Sequence, residues 1–466
     1  MKLHFLVTVW GEEYTKMFLD LCLPNQLTPG NLGFFESGPE AVYKIYTRPE
    51  DAMAISENRF FQEIGKFMKT EIHLLNFLKP STDSAYSMSL MTRCHQIAIP
   101  ESNKEDAFMV FLPPDQVYSE GAFTRLVEIG ASGKGVVATP TLAMSEETFM
   151  PAFTSRFRDD NGYMPAPARD LVALALNHLH PVARSYFIDS KNSNIDTNQL
   201  YWKVNETGFI ARNLLLHPLM VKPKIKTSVP QYVIDGDYPI RACPNFKDHH
   251  VVRDSDEIIA CELTTENYII GADKPRRFDI FNYAGHAKYG YNRIHNRYAR
   301  KAVRVHSEDF TLEWDDVEKQ TDDLIDSVRF IIATSKKYQR YEPLFNYEKD
   351  LPDLSHVKRV VIFGTGSGAT AAMTIAGKCG WEAVFCVDSD EGKLGGFFEG
   401  LDIKSPETLD RNDYDLIIVS SIPWKTSMFR KLEKSGLIYG KDFIHLLDRF
   451  IVDDVLISFD IQSYLS

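Results

Sequence analysis

The sequence lacks the features that mark several large classes of protein. It holds 6 cysteines and none of them forms a Cys-x-x-Cys pair, so we expect reduced thiols in a cytoplasmic protein and neither a zinc ribbon nor a disulfide framework. No apolar stretch reaches the roughly 18 residues that a membrane-spanning helix requires. The apolar run at the start is short and has no small-residue cleavage site, so we expect no signal peptide. Any membrane association is therefore expected to be peripheral.

Basic charge is also scarce. Lys and Arg number 52 against 64 Asp and Glu, which gives a net charge of −12 with His neutral, and this acidity argues against nucleic acid as a partner. The sequence contains no GxSxG, HExxH or P-loop motif. What remains is the composition of an ordinary globular protein, 44% hydrophobic and 25% charged over 466 residues. That length is enough for about three domains of roughly 150 residues each.

Apolar strands alternate with helical patterns from the start of the chain. The predicted strands are residues 3–9, 41–47, 71–77, 107–112 and 135–139. The predicted helices are residues 12–23, 51–68, 85–99, 121–131 and 165–180. This order predicts an α/β fold with a mostly parallel sheet.

The rest of the chain is less regular. Residues 200–262 continue the first domain as irregular α+β structure, residues 278–341 read as helical without a strong strand, and residues 343–352 read as a linker. We therefore predict three parts. They are a mixed-sheet α/β domain over residues 1–263, a helical connector over residues 264–349 and a Rossmann-like parallel-sheet domain over residues 350–466.

A glycine-rich loop follows the first strand of the last domain. The strand runs into Gly364-Thr-Gly366-Ser-Gly-Ala369 and a helix follows, which is the order of the GxGxx(G/A) loop. Gly364 permits the tight turn, Gly366 lets the backbone approach a phosphate, and Ala369 lets the helix pack on the strand. Asp388 ends the next strand, where a carboxylate can bind ribose hydroxyls. A nucleotide-binding loop is one interpretation, and glycines that serve only the turn are the other.

The stretch around and after Asp388 resembles the N-terminal Rossmann domains of capsule-type sugar epimerases and of sugar acetyltransferases. The runs that carry the resemblance are Val387-Asp-Ser-Asp, Lys393-Leu-Gly-Gly, Phe398-Glu-Gly-Leu-Asp-Ile, Ser405-Pro-Glu-Thr-Leu and Asp415-Leu-Ile-Ile-Val-Ser-Ser. The resemblance implies that this domain binds a nucleotide or a nucleotide-sugar. NAD is the ligand expected if the domain is an oxidoreductase.

The first five predicted strands are similar to the GT-A fold of nucleotide-diphospho-sugar transferases. In that family the loop after the first strand holds the nucleoside, which the resemblance places at Thr8, Gly11 and Tyr14. Two carboxylates after the fourth strand hold a divalent ion that neutralises the leaving diphosphate. Here Pro113 stands at the first carboxylate position. Asp115 is therefore the predicted ligand of Mn²⁺ or Mg²⁺, and whether a metal is needed stays open.

Further residues are candidates for catalysis. Asp254 and Asp256 would share one face of an extended strand, where they could bind an ion or supply the general base of an inverting transfer. The same Asp-Ser-Asp run is also typical of a turn. Asp235 is a further candidate base, and His217 is a candidate because it begins the run His217-Pro-Leu-Met-Val.

Scattered runs in residues 1–263 resemble a bacterial family of glycosyltransferases from surface-glycan gene neighbourhoods. These runs are Val9-Trp-Gly-Glu-Glu-Tyr14, Leu23-Pro24, Pro29-Gly-Asn-Leu32, His217-Pro-Leu-Met-Val-Lys-Pro223 and Asp254-Ser-Asp-Glu-Ile-Ile-Ala-Cys-Glu-Leu263. The resemblance implies a sugar transferase and marks His217 as a site position.

Charge changes sign abruptly in the middle of the chain. Residues 274–306 contain nine Lys or Arg and one acidic residue, whereas residues 308–326 contain nine Asp or Glu and one Lys. If the first segment is one helix, its cations Arg293, Arg297, Lys301 and Arg304 share a face. Three interpretations stay open: two helices that pair opposite charges, peripheral attachment to an anionic membrane, and an arginine clamp on a diphosphate.

Together these patterns predict a cytoplasmic glycosyltransferase, peripheral at the inner membrane in one interpretation. It would move a sugar from a nucleotide-sugar donor to a glycan or lipid-linked acceptor in bacterial surface polysaccharide or glycoconjugate assembly. Two alternatives stay open. One is an NAD-dependent sugar-nucleotide oxidoreductase or epimerase, although the last domain shows no convincing Tyr-x-x-x-Lys pair. The other is a non-catalytic nucleotide-binding scaffold.

Overall fold

The computed structural model describes most of the chain. The described residues are 1–79, 81, 84–193, 197–268, 277–291, 293–334, 354–366, 368–421 and 425–445. The chain forms two compact units: the first comprises Met1–Tyr283 and Ile294–Arg329, and the second comprises Ala284–Arg293 and the chain from Phe330 onward. The expected linker at residues 343–352 lies outside the described residues. The domain boundaries expected from the sequence stay a prediction.

The strands follow one another along the whole chain. In the first unit they are β1 (Lys2–Thr8), β2 (Glu40–Thr47), β3 (Lys69–Leu74), β4 (Phe108–Leu112), β5 (Gln116–Tyr118), β6 (Val136–Thr139), β7 (Thr141–Ser145), β8 (Gln199–Asn205), β9 (Gly208–Asn213), β10 (His217–Val221), β11 (His249–Val251), β12 (Ala260–Thr264) and β13 (Val303–His306). In the second unit they are β14 (Arg359–Phe363), β15 (Glu382–Val387), β16 (Phe397–Phe398), β17 (Leu401–Lys404), β18 (Leu416–Val419) and β19 (Phe443–His445).

The α-helices alternate with these strands. They are α1 (Glu12–Met17), α2 (Leu23–Gln26), α3 (Pro49–Glu57), α4 (Arg59–Ile64), α5 (Ser84–Lys104), α6 (Ala122–Ala131), α7 (Glu146–Phe157), α8 (Ala168–Asn177), α9 (Pro181–Arg184), α10 (Tyr238–Ala242), α11 (Ile280–Gly290), α12 (Arg293–Tyr298), α13 (Leu312–Thr334), α14 (Ala369–Lys378) and α15 (Lys425–Lys434). A π-helical segment, Phe18–Cys22, joins α1 to α2. Within the described residues, no helix combines the length and the apolar character that crossing a bilayer requires.

A seven-stranded sheet organises the first unit. Its strand order is β11-β6-β10-β4-β1-β2-β3, and β10 alone among these strands runs antiparallel to its neighbours. Alternate residues of β1 pack into different clusters: Phe5 contacts Phe123 of α6 on one face, and Leu6 belongs with Cys94 of α5 on the other. Covering both faces is what a mostly parallel sheet requires. The expected α/β fold and its five strands are confirmed.

Two three-stranded sheets complete the first unit. Their orders are β5-β12-β7 and β13-β9-β8. The expectation that residues 278–341 hold no strong strand is wrong at β13, which pairs antiparallel with β9. Alternation explains the strand: Val303 and Val305 are buried while Arg304 reaches outward between them. The strand was missed because its apolar run is short and lies inside a charged segment.

The second unit carries a six-stranded sheet. Its order is β16-β17-β15-β14-β18-β19, and every pairing except that of β16 with β17 is parallel. Numbered from β14, the five parallel strands follow the order 3-2-1-4-5 of the doubly wound Rossmann fold. The expected Rossmann-like parallel sheet is confirmed.

The basic segment does not form one helix. Helix α12 ends at Tyr298, and Arg304 lies on β13, so the expected amphipathic face through Arg304 is wrong. Arg304 instead pairs with Asp315 at 2.9 Å and with Glu318 at 2.7 Å on α13. Opposite charges therefore do pair, but between a strand and a helix rather than between two helices.

Candidate functional site

The carboxyl edge of the seven-stranded sheet gathers several of the expected site residues. Parallel strands end at one edge, and the antiparallel strand β10 begins there. Thr8 ends β1, Asp115 follows β4, and His217 begins β10. Open α/β sheets bind ligands at this edge, outside the carboxyl ends of their strands.

The loop after β1 is held in a defined shape. Gly11 has a φ of 87°, which favours glycine, and its N–H donates to Asp51 Oδ2 at 2.9 Å. Arg48 donates to the same carboxylate through Nε at 2.5 Å and Nη2 at 2.9 Å. Thr8 is buried, whereas the ring of Tyr14 is 50% exposed. The loop therefore leads into α1 with a fixed backbone, and Tyr14 on α1 is exposed to solvent.

Asp115 lies beside a carboxylate that the sequence patterns did not single out. Burial, and then the charge of Glu262, raise the pKa of Asp115 well above its usual range. Glu262 lies on β12, which pairs with β5 directly after Asp115, and the backbone N–H of Leu263 donates to the carbonyl of Asp115 at 2.9 Å. Burial also raises the pKa of Glu262, whose Oε2 accepts from Gln116 Nε2 at 3.1 Å. The two carboxylates therefore form a closely interacting pair.

Further groups interact electrostatically with this pair. Burial and then the charges of Asp115 and Glu146 raise the pKa of Tyr14 to about 12. Burial raises the pKa of Glu146 as well, as do Glu147 and Glu13. Burial and, less strongly, the charge of Glu262 raise the pKa of Asp235 to about 6.

We call Asp115, Glu146, Asp235 and Glu262 the acidic site. Within the described part of the chain, none of these four residues forms an ion pair with Lys, Arg or His. These four carboxylates are partly buried, and burial of a carboxylate that lacks a cationic partner favours either protonation or the binding of a cation. The acidic site therefore has the electrostatics of a place that receives a positive charge.

The side chain of His217 forms a hydrogen bond with the backbone. Its Nε2–H donates to the carbonyl of Phe111 at 3.0 Å, and burial lowers the pKa of the imidazole to about 4. The side chain is thus neutral at pH 7, and it ties the start of β10 to the end of β4.

Asp254 and Asp256 belong to a different cluster. His306 Nε2 lies 2.8 Å from Asp254 Oδ1 and 3.9 Å from Asp256 Oδ2, and one ligand atom from each of the three residues falls within 4.8 Å of the others. This spacing could hold a metal ion. Arg169 already donates to both oxygens of Asp256, with distances of 2.9 to 3.2 Å.

The turn interpretation of Asp-Ser-Asp is the one that the structure shows. Strand β11 ends at Val251, and Asp254 Oδ1 accepts from the backbone N–H of Asp256 at 2.8 Å. The expectation of two carboxylates on one face of a strand is therefore wrong. Burial raises the pKa of Asp254, but the hydrogen bonds from His306 and from the backbone N–H of Asp256, together with the charges of His306 and Arg304, outweigh burial and lower the pKa. Burial lowers the pKa of His306, but Asp254, the backbone carbonyl of Glu308 and the charge of Asp256 together outweigh burial and raise the pKa.

The sequence patterns missed Glu146, Glu262 and His306. Glu262 had a usable signal, because it is a single carboxylate inside the short apolar strand Ala260–Thr264, and such a residue is rarely buried without a function or a partner. Glu146 begins α7 next to Glu147, and acidic residues are common in the first turn of a helix, so its sequence position gave no signal. His306 follows Val305 in a strand that was itself missed.

The glycine-rich loop of the second unit has the expected shape. Gly364 has a φ of 97°, and a Cβ there would lie 3.0 Å from Ser420 Oγ. A Cβ at Gly366 would meet nothing within 4 Å among the described residues. Ala369 is fully buried at the start of α14. Gly364 is therefore needed by the turn, whereas Gly366 leaves open space beside the backbone.

Asp388 is engaged by the protein itself. Its Oδ2 accepts from Thr365 N at 2.9 Å, from Thr365 Oγ1 at 2.6 Å and from Lys393 Nζ at 3.2 Å, while Oδ1 accepts from Asp390 N at 3.0 Å. Burial raises the pKa of this carboxyl, but these donors outweigh it and hold the pKa below its usual value. Asp388 thus fixes the glycine-rich loop.

Comparisons with known proteins cover parts of the chain. The family model "C2185-like, N-terminal" matches residues 356–439. One similar solved structure is the apo form of mouse xyloside xylosyltransferase 1, with 12% identity, a TM-score of 0.19, and coverage of 34% of this chain and 60% of that chain. No curated protein matches the sequence. The family likeness is therefore confined to the second unit.

Proposed function

We propose that the first unit is a glycosyltransferase that moves a sugar from a nucleotide-sugar donor to an acceptor. One observation carries the proposal: Tyr14 on α1, Asp115 in the turn after β4 and Asp235 in the turn before α10 come from separate parts of the chain and interact electrostatically with Glu146 or Glu262. This acidic site lies at the carboxyl edge of a mostly parallel sheet, where such folds bind ligands. A glycan or lipid-linked acceptor in bacterial surface polysaccharide assembly is the finer part of the proposal.

The acidic site fits a divalent cation. Mg²⁺ and Mn²⁺ prefer oxygen ligands, and Asp115 and Glu262 offer carboxylates without a cationic partner among the described residues. Glu262 supplies the second carboxylate that Pro113 cannot. A bound ion would neutralise the charge that develops on the leaving diphosphate. Asp254, Asp256 and His306 also have ligand atoms spaced for a metal ion, but an ion there would compete with Arg169, which donates to Asp256.

The remaining residues suit the two substrates. The exposed ring of Tyr14 offers a stacking surface for a nucleobase, and Thr8 and Gly11 shape the loop beneath it. Asp235 has a pKa of about 6, so it is mostly deprotonated at pH 7 and its pKa is close to the working pH. Such a group suits a general base that takes the proton from the hydroxyl of the acceptor. His217 stabilises the carboxyl edge of the sheet through its hydrogen bond to Phe111 and has no role in binding substrate in this proposal.

The test is release of nucleoside diphosphate from a panel of nucleotide-sugars, with Mn²⁺ or Mg²⁺, by the full chain. Asp115→Asn and Glu262→Gln are expected to lower kcat/KM on the order of a hundredfold, because each removes a cation ligand. Asp256→Asn is the matched control and is expected to stay within about threefold of the wild type. Loss of activity in the control together with full activity in Glu262→Gln would contradict the proposed site.

For the second unit we propose nucleotide or nucleotide-sugar binding at Gly364, Gly366 and Ala369. The open space at Gly366 supports a close approach by phosphate. The engagement of Asp388 with Thr365 and Lys393 weakens the NAD alternative, because that carboxylate is not free for ribose hydroxyls. Thermal-shift measurements with NAD and nucleotide-sugars test this. Stabilisation by NAD alone would favour an oxidoreductase, and no change in melting temperature with any of the ligands would favour a scaffold.

A further inference from the structure

Cations from four separate segments meet at the amino edge of the seven-stranded sheet. They are Lys134 before β6, Lys224 after β10, Lys247 before β11 and Arg297 on α12. We call these four side chains the basic edge. They are far apart in sequence, so the charge pattern alone could not reveal them as a group.

The segment from Cys243 to His249 connects these cations. Lys134 Nζ donates to the carbonyl of Lys247 at 2.8 Å, and the guanidinium of Arg297 lies 5.6 Å from the ring centre of Phe246. The backbone N–H of Lys224 donates to the carbonyl of Ala242, one residue before that segment, at 2.9 Å. The side chains of Lys134 and Arg297 and the backbone of Lys224 are therefore held around the segment that contains Lys247.

The close packing depends on a glycine. A Cβ at Gly135 would lie 2.9 Å from Cys243 Sγ and 3.1 Å from the carbonyl of Lys222. Only glycine allows β6, β10 and the Cys243 segment to approach so closely beside Lys134. The basic edge is thus built into the backbone of the sheet.

Among the described residues, no carboxylate pairs with Lys134, Lys224, Lys247 or Arg297. Two carboxylates lie nearby: Asp106 pairs with Lys222 and Lys226, and Asp248 follows Lys247. Arg304, by contrast, is matched by Asp315 and Glu318. Four such cations around one segment provide a local positive surface for an external anion, although the net charge of the chain is −12.

We propose that the basic edge docks the protein on an anionic membrane surface. Ile225, flanked by Lys224 and Lys226, is 44% exposed and would enter the interface beside the headgroups. An exposed aliphatic side chain between lysines suits a bilayer better than a nucleic acid, which favours exposed aromatic rings for stacking. The acidic site lies at the opposite, carboxyl edge of the same sheet. Docking therefore leaves that site clear of the membrane, and the proposal stands whether or not the transferase activity is found.

The test is flotation of the full chain with vesicles of phosphatidylcholine alone or with about 30% phosphatidylglycerol. The wild type is expected to float with the anionic vesicles at low salt and to be released at roughly 0.5 M NaCl, because salt screens the attraction. Lys224→Glu combined with Arg297→Glu is expected to weaken binding on the order of tenfold or more. Ile225→Ser is expected to weaken it less, without changing the salt dependence.

Lys203→Glu combined with Lys319→Glu is the matched control, since it makes the same change of net charge at exposed positions away from the basic edge. Circular dichroism verifies that each variant is folded. The proposal is overturned if the wild type stays with the soluble fraction, if it floats equally with neutral vesicles, or if the control loses as much binding as the basic-edge variant. It is also overturned if RNA displaces the protein from anionic vesicles at equal phosphate concentration.

Discussion

At the scale of single residues, the acidic site contains groups whose charge is costly to the fold. Asp235 is a half-buried carboxyl whose pKa lies above the ordinary value of 3.8 because of burial and the charge of Glu262. Its protonated form is therefore favoured in the folded protein. Residues that a protein retains in spite of such a cost are typical of functional sites.

Asp235→Asn is expected to stabilise the protein at neutral pH. Because the folded pKa is about 6 and the unfolded pKa is near 4, the wild type loses stability as pH rises between these values. The variant is expected to gain about 1–2 kcal/mol at pH 7.5 and nothing at pH 4. Urea unfolding at the two pH values measures this. Exposed Asp316→Asn on α13 is the control, and an equal gain at both pH values would contradict the assignment.

Some residues of the candidate site could be predicted from the sequence and others could not. Thr8, Gly11, Tyr14 and the metal candidate Asp115 could be proposed from the sequence, because they lie at or after the ends of strands whose apolar runs are clear. Glu262 was not, since its contact with Asp115 depends on the pairing of β5 with β12 across more than a hundred residues of chain. The sequence left two interpretations open for Asp254, because both a turn and a strand accept Asp-Ser-Asp, and the structure shows the turn.

At the scale of elements, the junction of β14 and α14 separates two kinds of glycine. Gly364 is required by its backbone conformation and by the nearby Ser420, whereas Gly366 has no described neighbour that a Cβ would meet. The sequence motif treats both as parts of one loop. The structure divides them into a folding requirement and an open surface.

Gly364→Ala is expected to destabilise the second unit by about 1–3 kcal/mol, because alanine is strained at a φ of 97°. Gly366→Ala is expected to change stability by less than about 1 kcal/mol, yet to weaken any ligand whose phosphate approaches that backbone. Thermal unfolding with and without a nucleotide-sugar distinguishes the two. Equal loss of stability in both variants would show that both glycines serve only the turn.

At the scale of the whole molecule, the first unit includes β13 and helix α13 as far as Arg329. Arg212 on β9 is almost fully buried and donates to Thr321 and Asp322 of α13, and Ile210 packs with Trp314. The charge runs in this stretch indicated separate helices. Their contacts with β9 could not be predicted, because β9 lies about a hundred residues earlier in the sequence.

A fragment of residues 1–263 is expected to unfold without a cooperative transition, whereas a fragment of residues 1–334 is expected to unfold cooperatively. The shorter fragment leaves the buried guanidinium of Arg212 without Thr321 and Asp322, which costs about 3–5 kcal/mol. Circular dichroism melts and limited proteolysis measure the difference. Equal protease resistance of the two fragments would contradict the inclusion of β13 and α13 in the first unit.

The pairing of β9 with β13 also has a consequence during protein synthesis. Strand β9 leaves the ribosome together with β8, but β13 follows about 90 residues later, which at typical translation rates is a wait of roughly 5 to 20 seconds. Throughout that interval β9 presents an unpaired strand edge that can join a neighbouring nascent chain. A holding chaperone that covers this edge, or faster translation that shortens the wait, is therefore the expected remedy if the protein aggregates on expression.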